Sequence, residues 1–297
     1  MMAVRQPFRA GSFYPAERVE CEAELTRCLS AAAAPSAKEG NALPKRPVAA
    51  IVPHAAWTYS GKTAAYALAP LASAKPQAKT IVVVGAVHVS GVYRASLMTA
   101  GAWKTPLGEI EIDSTLAAAI RKRDPNLIAD DAWVHRVEHS IEVVLPFVQK
   151  LLPSARFVPV MVPPLREASR VGLALAEAIS AHEEPVFVIG STDLTHYGED
   201  SYGYAPAGGG FESLEWVKGD NDRRMIDLMT RLRSDEVVEE ARQHHNACGA
   251  GAIAATIVAA KALGAKKGHL LHYTTSYDEK PEGPPRDFVG YASLVFG

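Results

Sequence analysis

Six short apolar runs separated by amphipathic segments are the feature that most restricts the fold of this chain. The runs lie at 47–52, 80–85, 156–162, 185–190, 269–277 and 289–296. Helical spacing of apolar residues predicts helices at 17–33, 61–72, 114–122, 140–152, 167–181, 221–232 and 247–263. Continuous apolar strands that alternate with helices are typical of a largely parallel sheet covered on both faces. The sequence therefore predicts an α/β fold, with the two late runs as an antiparallel addition at one edge.

The remaining bulk properties restrict the class of protein further. We expect the 297 residues to form one domain spanning 1–297, because nothing in the composition marks a boundary. The formal net charge of −2 gives no reason to expect nucleic acid or an anionic membrane as a partner. Three cysteines make no disulfide framework, and we found neither a signal-peptide pattern nor an apolar run of about 18 residues. These features predict a soluble, cytoplasmic protein with an exposed linker at 34–47 and a Gly- and Tyr-rich loop at 201–213 that is a candidate lid.

Polar side chains follow three of the predicted strands directly. His54 follows the first run, His88 follows the second, and Asp193 and His196 follow the run at 185–190. A single histidine after a strand is more often a hydrogen-bonded structural residue than a ligand. Ligands of open parallel sheets bind outside the carboxyl ends of the strands. Three strands that each bring a histidine to that edge therefore favour a functional site.

A fourth segment adds a thiol. Asn246 is a candidate N-cap of the helix at 247–263, which would put Cys248 in the first helical turn and lower the pKa of its thiol. A cysteine in an Ala- and Gly-rich helix is usually a small core residue, and this interpretation is preferred for Cys21 and Cys28. Cys248 differs because its helix is expected to begin at the same sheet edge as the histidines.

A fifth segment, 137–148, offers Glu138 and His139 before a helix that Ser140 is expected to cap. Two interpretations stay open for this pair. One is ordinary helix-start chemistry, since acidic groups are favourable there. The other is that the pair orients a metal ligand or contacts substrate.

These segments together, in this order, resemble the Memo family, whose bacterial members are known as AmmeMemoRadiSam system protein B. The matching stretches are RAGSFYP (9–15), PHAAWTYSG (53–61), VGAVHVSG (84–91), EHSIEVVLPF (138–147), STDLTHYG (191–198) and NACGAG (246–251). The resemblance covers essentially the whole chain. It departs from the family pattern at Ala56, where glycine is usual, and at Gly85–Ala86, where Gly-Pro is usual.

The resemblance implies a fold similar to that of the class III extradiol dioxygenases, which hold iron(II) with two histidines and a carboxylate. It implies that His54 and His88 are the histidine ligands and that Cys248 takes the place of the carboxylate. It likewise implies that His196 is the acid/base, with Asp193 beside it. A His₂Cys site is softer than the dioxygenase site and favours copper or zinc more than that site does. The resemblance itself implies iron(II) or copper as the cofactor.

Three functions follow from these residues. The first is a metal-dependent oxidoreductase with a small-molecule substrate, in which Tyr59 and Tyr197 line the pocket. The second, implied by the family name, is a non-catalytic module that binds a peptide or a radical S-adenosylmethionine protein in a vestigial pocket. The third is a hydrolase that uses Cys248, His196 and Asp193 as a triad, which leaves the other histidines without a role.

Overall fold

The computed structural model describes residues 3–33, 43–70 and 77–297. The predicted linker at 34–47 therefore lies mostly outside the described residues; its described part, 43–47, is neither helix nor strand. The last two residues of the helix predicted at 61–72 also lie outside them.

The strands of the described residues form two sheets. They are β1 (Val4–Arg5), β2 (Ala49–Val52), β3 (Thr80–Gly85), β4 (Ala95–Leu97), β5 (Ala102–Thr105), β6 (Gly108–Glu111), β7 (Ile128–Asp130), β8 (Arg156–Met161), β9 (Val186–Ser191), β10 (His196–Tyr197), β11 (Gly268–Thr275) and β12 (Phe288–Phe296). The large sheet has the order β10-β12-β2-β9-β3-β8-β4-β7, with β11 also paired to β12. The strands β1, β5 and β6 form a separate small sheet.

The centre of the large sheet is parallel, as expected. The neighbours β2, β9, β3 and β8 pair in parallel, and β3 is buried along its whole length. Valine and isoleucine suit such strands because both of their faces are covered. The antiparallel addition is also present, since β12 runs antiparallel to β2 and β11 runs antiparallel to β12.

Helices cover both faces of the sheet, which confirms the α/β class. They are α1 (Arg18–Ala33), α2 (Trp57–Leu68), α3 (Ser114–Arg123), α4 (Leu145–Leu151), α5 (Ala168–Ser180), α6 (Glu199–Tyr202), α7 (Phe211–Trp216), α8 (Asp222–Thr230), α9 (Ser234–His244), α10 (Ala250–Ala262) and α11 (Ser276–Glu279). One layer contains α1, α2 and α4, and α10 packs on α5 and α9 in the other. A π-helical turn, Val217–Asn221, joins α7 to α8.

Two predicted helix caps are wrong. Asn246 does not cap α10: the helix begins at Ala250 with Gly249 as its N-cap residue, so Cys248 precedes the helix instead of lying in its first turn. Ser140 does not cap the helix predicted at 140–152, because its hydroxyl donates to the Ala86 carbonyl and a 3₁₀ turn comes before α4.

Among the described residues, no helix is long and apolar enough to span a membrane.

Candidate metal centre

The parallel strands bring the predicted histidines together at their carboxyl ends. His54 lies two residues after β2 and His88 three residues after β3, and their rings are 5.2 Å apart between centroids. Asp193 lies two residues after β9, the strand between β2 and β3. Cys248 reaches the same place from the loop before α10, with its Sγ atom 3.3 Å from His54 Nε2. The clustering expected from the strand ends is therefore present.

The orientation of His54 follows from a chain of two hydrogen bonds. The Ser191 hydroxyl donates to the Ser140 carbonyl at 2.7 Å, so its oxygen can accept a hydrogen bond from His54 Nδ1–H at 2.9 Å. This arrangement leaves Nε2 as the nitrogen that faces Cys248. The backbone N–H of His54 also donates to Asp193 Oδ1 at 2.8 Å, which fixes the residue at both its main chain and its ring.

His88 is oriented by Glu138, a fully buried carboxylate. Oε2 of Glu138 accepts the backbone N–H of His88 at 2.7 Å, and Oε1 accepts from His88 Nδ1 at 3.0 Å. The same Oε1 atom also accepts the backbone N–H groups of His139 and Ser140, both at 2.8 Å. Glu138 therefore holds the His88 ring by its Nδ1 atom and leaves Nε2 available to a metal ion.

The surroundings of Cys248 favour the thiolate form of its side chain. Burial would raise its pKa, but the charge of His54 and hydrogen bonds from His54 and His88 outweigh burial and lower the pKa to about 5. The backbone N–H of Asp193 donates to Sγ at 3.3 Å and adds to this stabilisation. The expected pKa shift is thus present, but its cause is the pair of histidines and not a position in the first turn of α10.

The two histidines show the complementary shifts. Burial opposes a charge on His88, yet hydrogen bonds to the Cys248 thiolate and to Glu138 raise its pKa to about 10. The pKa of His54 is also raised, because the charges of Asp193 and Cys248 outweigh its burial. Burial acts against the charge of Glu138 too, but its bond with His88 holds the pKa well below the usual range.

His139 lies inside the cluster. Its ring stacks on His88 with 4.7 Å between centroids and meets the edge of His54 at 5.5 Å. Burial and the charges of His54 and His88 lower its pKa to about 3, which keeps the imidazole neutral. Among the described residues, two sets of side chains at this sheet edge have ligand atoms close enough to share one ion: His54, His88 and His139, and His54, Asp193 and Cys248. Of the two interpretations open for His139, its position favours contact with a ligand.

Asp193 and His196 face the same cavity but are held separately. The Asp193 carboxylate accepts from the backbone of His54 and lies 3.9 Å from His54 Nε2. His196 donates Nδ1–H to the Leu194 carbonyl at 3.1 Å, so Nε2 is its free nitrogen. Within the described part of the chain, hydrogen bonds join Cys248 Sγ to His54 Nε2 and to the Asp193 N–H and none joins it to His196, so the triad of a hydrolase is not assembled.

A cavity of about 660 Å³ opens above these residues. Its wall includes Phe13, Tyr59 and Tyr202, and the hairpin between β11 and β12 supplies much of the rest. Tyr59 therefore lies where it was predicted. Tyr202, within the predicted lid at 201–213, borders the cavity through the short helix α6, with its ring 5.1 Å from that of His196.

The prediction that Tyr197 lines the pocket is wrong. Its ring is fully buried and stacks on Phe288 at 5.0 Å, and its hydroxyl donates to the Gly208 carbonyl at 2.6 Å. Through this hydrogen bond to Gly208, Tyr197 anchors the 201–213 loop from the protein interior. Strand alternation explains the difference, because His196 and Tyr197 are consecutive in β10 and point to opposite sides.

Comparisons with known proteins show the family to which the chain belongs. The sequence pattern of the Memo-like proteins matches residues 5–295. The chain is 37% identical to a MEMO1 family protein of Methanopyrus kandleri over 298 residues, 98% of each chain. It is 37% identical to one of Thermococcus kodakarensis over 302 residues, 99% of each chain, and 36% identical to one of Methanothermobacter thermautotrophicus over 295 residues, 98% of this chain and 99% of that one. With a match of this extent, the chain belongs to the family of Memo-like proteins.

Proposed function

We propose that the protein is a metal-dependent redox enzyme in which His54, His88 and Cys248 hold iron(II) or copper. The observation that carries the proposal is that each imidazole gives its Nδ1–H to a fixed oxygen, while Cys248 Sγ lies 3.3 Å from His54 Nε2 and the rings of His54 and His88 lie 5.2 Å apart. Metal ligation needs neutral imidazoles and a deprotonated thiol, so binding of the metal would displace the proton that His88 carries in the metal-free protein. A set of two imidazoles and one thiolate fits both iron and copper and is softer than a set completed by a carboxylate.

The bound metal would supply electron transfer and Lewis-acid chemistry at the base of the cavity. The chain's own residues would bind and orient the substrate and move its protons. His196 is the proposed acid/base, because its Nδ1–H is donated to the Leu194 carbonyl and its Nε2 is free to accept a proton from a substrate in the cavity. Asp193 holds His54 through the backbone, which is a positioning role.

The substrate in this proposal is a small molecule held between aromatic side chains. The cavity of about 660 Å³ lies in the ordinary range for small-molecule sites, and Phe13, Tyr59 and Tyr202 provide flat apolar contacts. We further propose that the protein is cytoplasmic and that it acts beside a radical S-adenosylmethionine protein, as the family resemblance implies.

Metal content of protein purified without oxygen tests the proposal. We expect about one iron or copper per chain in the wild type and loss of that metal in Cys248→Ser and His88→Ala. His269→Ala is a matched control, since His269 lies on β11 away from the cluster and should leave the metal content unchanged. A wild type that holds no metal, and takes up none on reconstitution, would refute the redox proposal. It would favour a pocket that binds a peptide or a partner, and pull-down experiments would then follow.

A further inference from the structure

A buried carboxylate lies behind the metal centre, on the far side of the segment that carries Asp193 and His196. Asp222 begins α8 directly after the π-helical turn and is fully buried. Turns of this kind often occur at functional sites. A buried carboxylate is unfavourable unless hydrogen bonds satisfy it, so its partners indicate what it holds in place.

Most of the hydrogen bonds to Asp222 come from one residue of the site segment. Oδ1 accepts both the backbone N–H and the hydroxyl of Thr195, at 3.0 and 2.5 Å. Oδ2 accepts the Tyr273 hydroxyl at 2.8 Å. Thr195 is fully buried and directly precedes His196. Asp222 therefore fixes the main chain and the side chain of Thr195 together.

Strand β12 also contacts the backbone of residues 194 and 195. The backbone N–H of Gly290 donates to the Thr195 carbonyl at 2.9 Å, and Leu194 N–H donates to the Gly290 carbonyl at 2.8 Å. A Cβ atom at position 290 would lie only 1.8 Å from Asp222 Oδ2, so the carboxylate rests directly against the glycine backbone. Residues 194 and 195 are thus held between α8 and β12.

A neighbouring amide extends the contact to the thiol segment. Asn221 Nδ2 donates to Thr195 Oγ1 at 3.0 Å and to the His244 carbonyl at 2.9 Å. The Asn221 carbonyl accepts from Asn246 Nδ2 at 2.9 Å, two residues before Cys248. One buried network therefore touches both segments that supply the site.

The two segments also meet at the site itself. Asp193 N–H donates to Cys248 Sγ at 3.3 Å, and Cys248 N–H donates to the Asp193 carbonyl at 3.2 Å. A shift of either segment would change the distance from Sγ to His54 Nε2. The network around Thr195 lies on the buried side of this contact and limits such a shift.

We propose that Asp222 is a positioning residue: by hydrogen bonding Thr195, and with Asn221 linking to Asn246, it holds the 193–196 and 246–248 segments in the relative position that the metal centre needs. This proposal rests on the metal site proposed above. Groups that orient metal ligands from outside typically contribute about 10- to 100-fold in metal affinity. Asp222 acts one step further away, so we expect a loss near the lower limit, about tenfold.

The test measures cobalt(II) binding to metal-free protein and the thiolate-to-cobalt absorption band. Asp222→Ala should weaken cobalt binding about tenfold and alter the band, because Thr195 loses the acceptor of both its donors. Asp222→Asn should restore most of the affinity, since its amide oxygen can accept from Thr195 and its NH₂ can donate to the Tyr273 oxygen. If Asp222→Asn binds cobalt as weakly as Asp222→Ala, positioning by hydrogen bonds is refuted. Wild-type affinity in Asp222→Ala also refutes it.

A matched control separates positioning from general loss of stability. Asp113 is another fully buried carboxylate, but it contacts Thr80 at the amino end of β3, opposite the site. Asp113→Ala should lower the free energy of unfolding and leave unchanged the cobalt affinity measured from the thiolate-to-cobalt band. That band reports only on the site of Cys248, because among the described residues Asp113 could share an ion only with His182 and Glu184. An equal loss of affinity in Asp113→Ala would mean that Asp222 has no special connection to the site.

Hydrogen–deuterium exchange of metal-free protein gives an answer that does not depend on metal binding. Thr195→Val removes the hydroxyl from the network and should accelerate exchange in 191–197 and in 244–249 together, whereas Thr195→Ser should not. If the wild type binds no cobalt, the proposed function fails while this measurement still tests the positioning role. Unchanged exchange in Thr195→Val, or acceleration confined to 191–197, would overturn that role.

Discussion

Glu138 provides the sharpest prediction, because one isosteric change removes its charge without changing its volume. Its two oxygens accept from His88 twice and from the backbone N–H groups of His139 and Ser140. In Glu138→Gln one of these oxygens becomes an NH₂ group, which then faces an N–H donor in either orientation of the amide. A buried donor left without an acceptor costs about 1–3 kcal/mol, so the free energy of unfolding should fall by that amount.

The effect of Glu138→Gln on metal affinity combines two opposing contributions. Loss of the group that orients His88 should weaken binding about 10- to 100-fold, or about 1.4–2.8 kcal/mol. In the metal-free protein, however, His88 has a pKa of about 10 and must lose a proton before it binds metal. Removing the Glu138 charge eases that proton loss, which offsets part of the damage at neutral pH. The net loss of cobalt affinity should therefore be larger at about pH 9 than at about pH 7.

A neighbouring carboxylate supplies the control. Glu142 is also fully buried, accepts the backbone N–H groups of Phe8 and Arg9, and pairs with Arg5 at 2.7 Å. Glu142→Gln should lower the free energy of unfolding comparably but keep cobalt affinity within about twofold of the wild type. Cobalt titrations of both variants measure the affinity, and urea denaturation measures the free energy of unfolding. Equal losses of affinity in both, or wild-type affinity in Glu138→Gln at both pH values, would show that Glu138 does not act through His88.

Three further predictions concern stability. Burial lowers the pKa of His135 to about 4, below the value of about 6.5 in an unfolded chain, so the unfolded state binds more protons between these pH values. In urea denaturation, the free energy of unfolding should fall by up to about 3 kcal/mol as the pH falls from about 6.5 to about 4. His135→Gln should lack this part of the pH dependence. Tyr197→Phe should lower the free energy of unfolding by about 1–2 kcal/mol and leave cobalt affinity unchanged. A loss of cobalt affinity would contradict the conclusion that Tyr197 lies outside the pocket. Gly290→Ala should destabilise the protein by about 1–3 kcal/mol or more, because its Cβ meets Asp222, whereas Gly219→Ala, which meets open space, should be nearly neutral in the same thermal melts.

The central strands could be predicted from the sequence because burial on both faces requires continuous apolar runs. The run TIVVVG became a strand with the predicted bounds, Thr80–Gly85. Helix α9 was missed because its polar sequence SDEVVEEARQH buries only Val237 and Ala241. The small sheet was missed because β1 has two residues and β6 buries only Ile110, so neither strand carries an apolar run.

The start of α10 illustrates what the sequence could not specify. Asn246 is a good N-cap residue by type, but the fold uses its side chain to bind the Asn221 carbonyl. Glycines at 249 and 251 allow the chain to pass close to the backbones of Ser191 and Pro163, where a Cβ would lie 2.6 and 2.2 Å from a carbonyl oxygen. These contacts join segments far apart in the chain, and helix-capping preferences contain no information about them.

The candidate metal centre shows the same division between position and orientation. That His54, His88 and His196 follow apolar strands is visible in the sequence, and the parallel sheet makes this sufficient to bring them to one edge. Which nitrogen each ring presents depends on an acceptor that the fold supplies: the Ser191 hydroxyl, the Glu138 carboxylate and the Leu194 carbonyl. Each acceptor binds Nδ1 and leaves Nε2 free, although the three have no sequence pattern in common. The chemistry of the site is therefore encoded in residues that would not bind the metal, and substitutions at Ser191 and Glu138 should reveal it as clearly as substitutions at the ligands themselves.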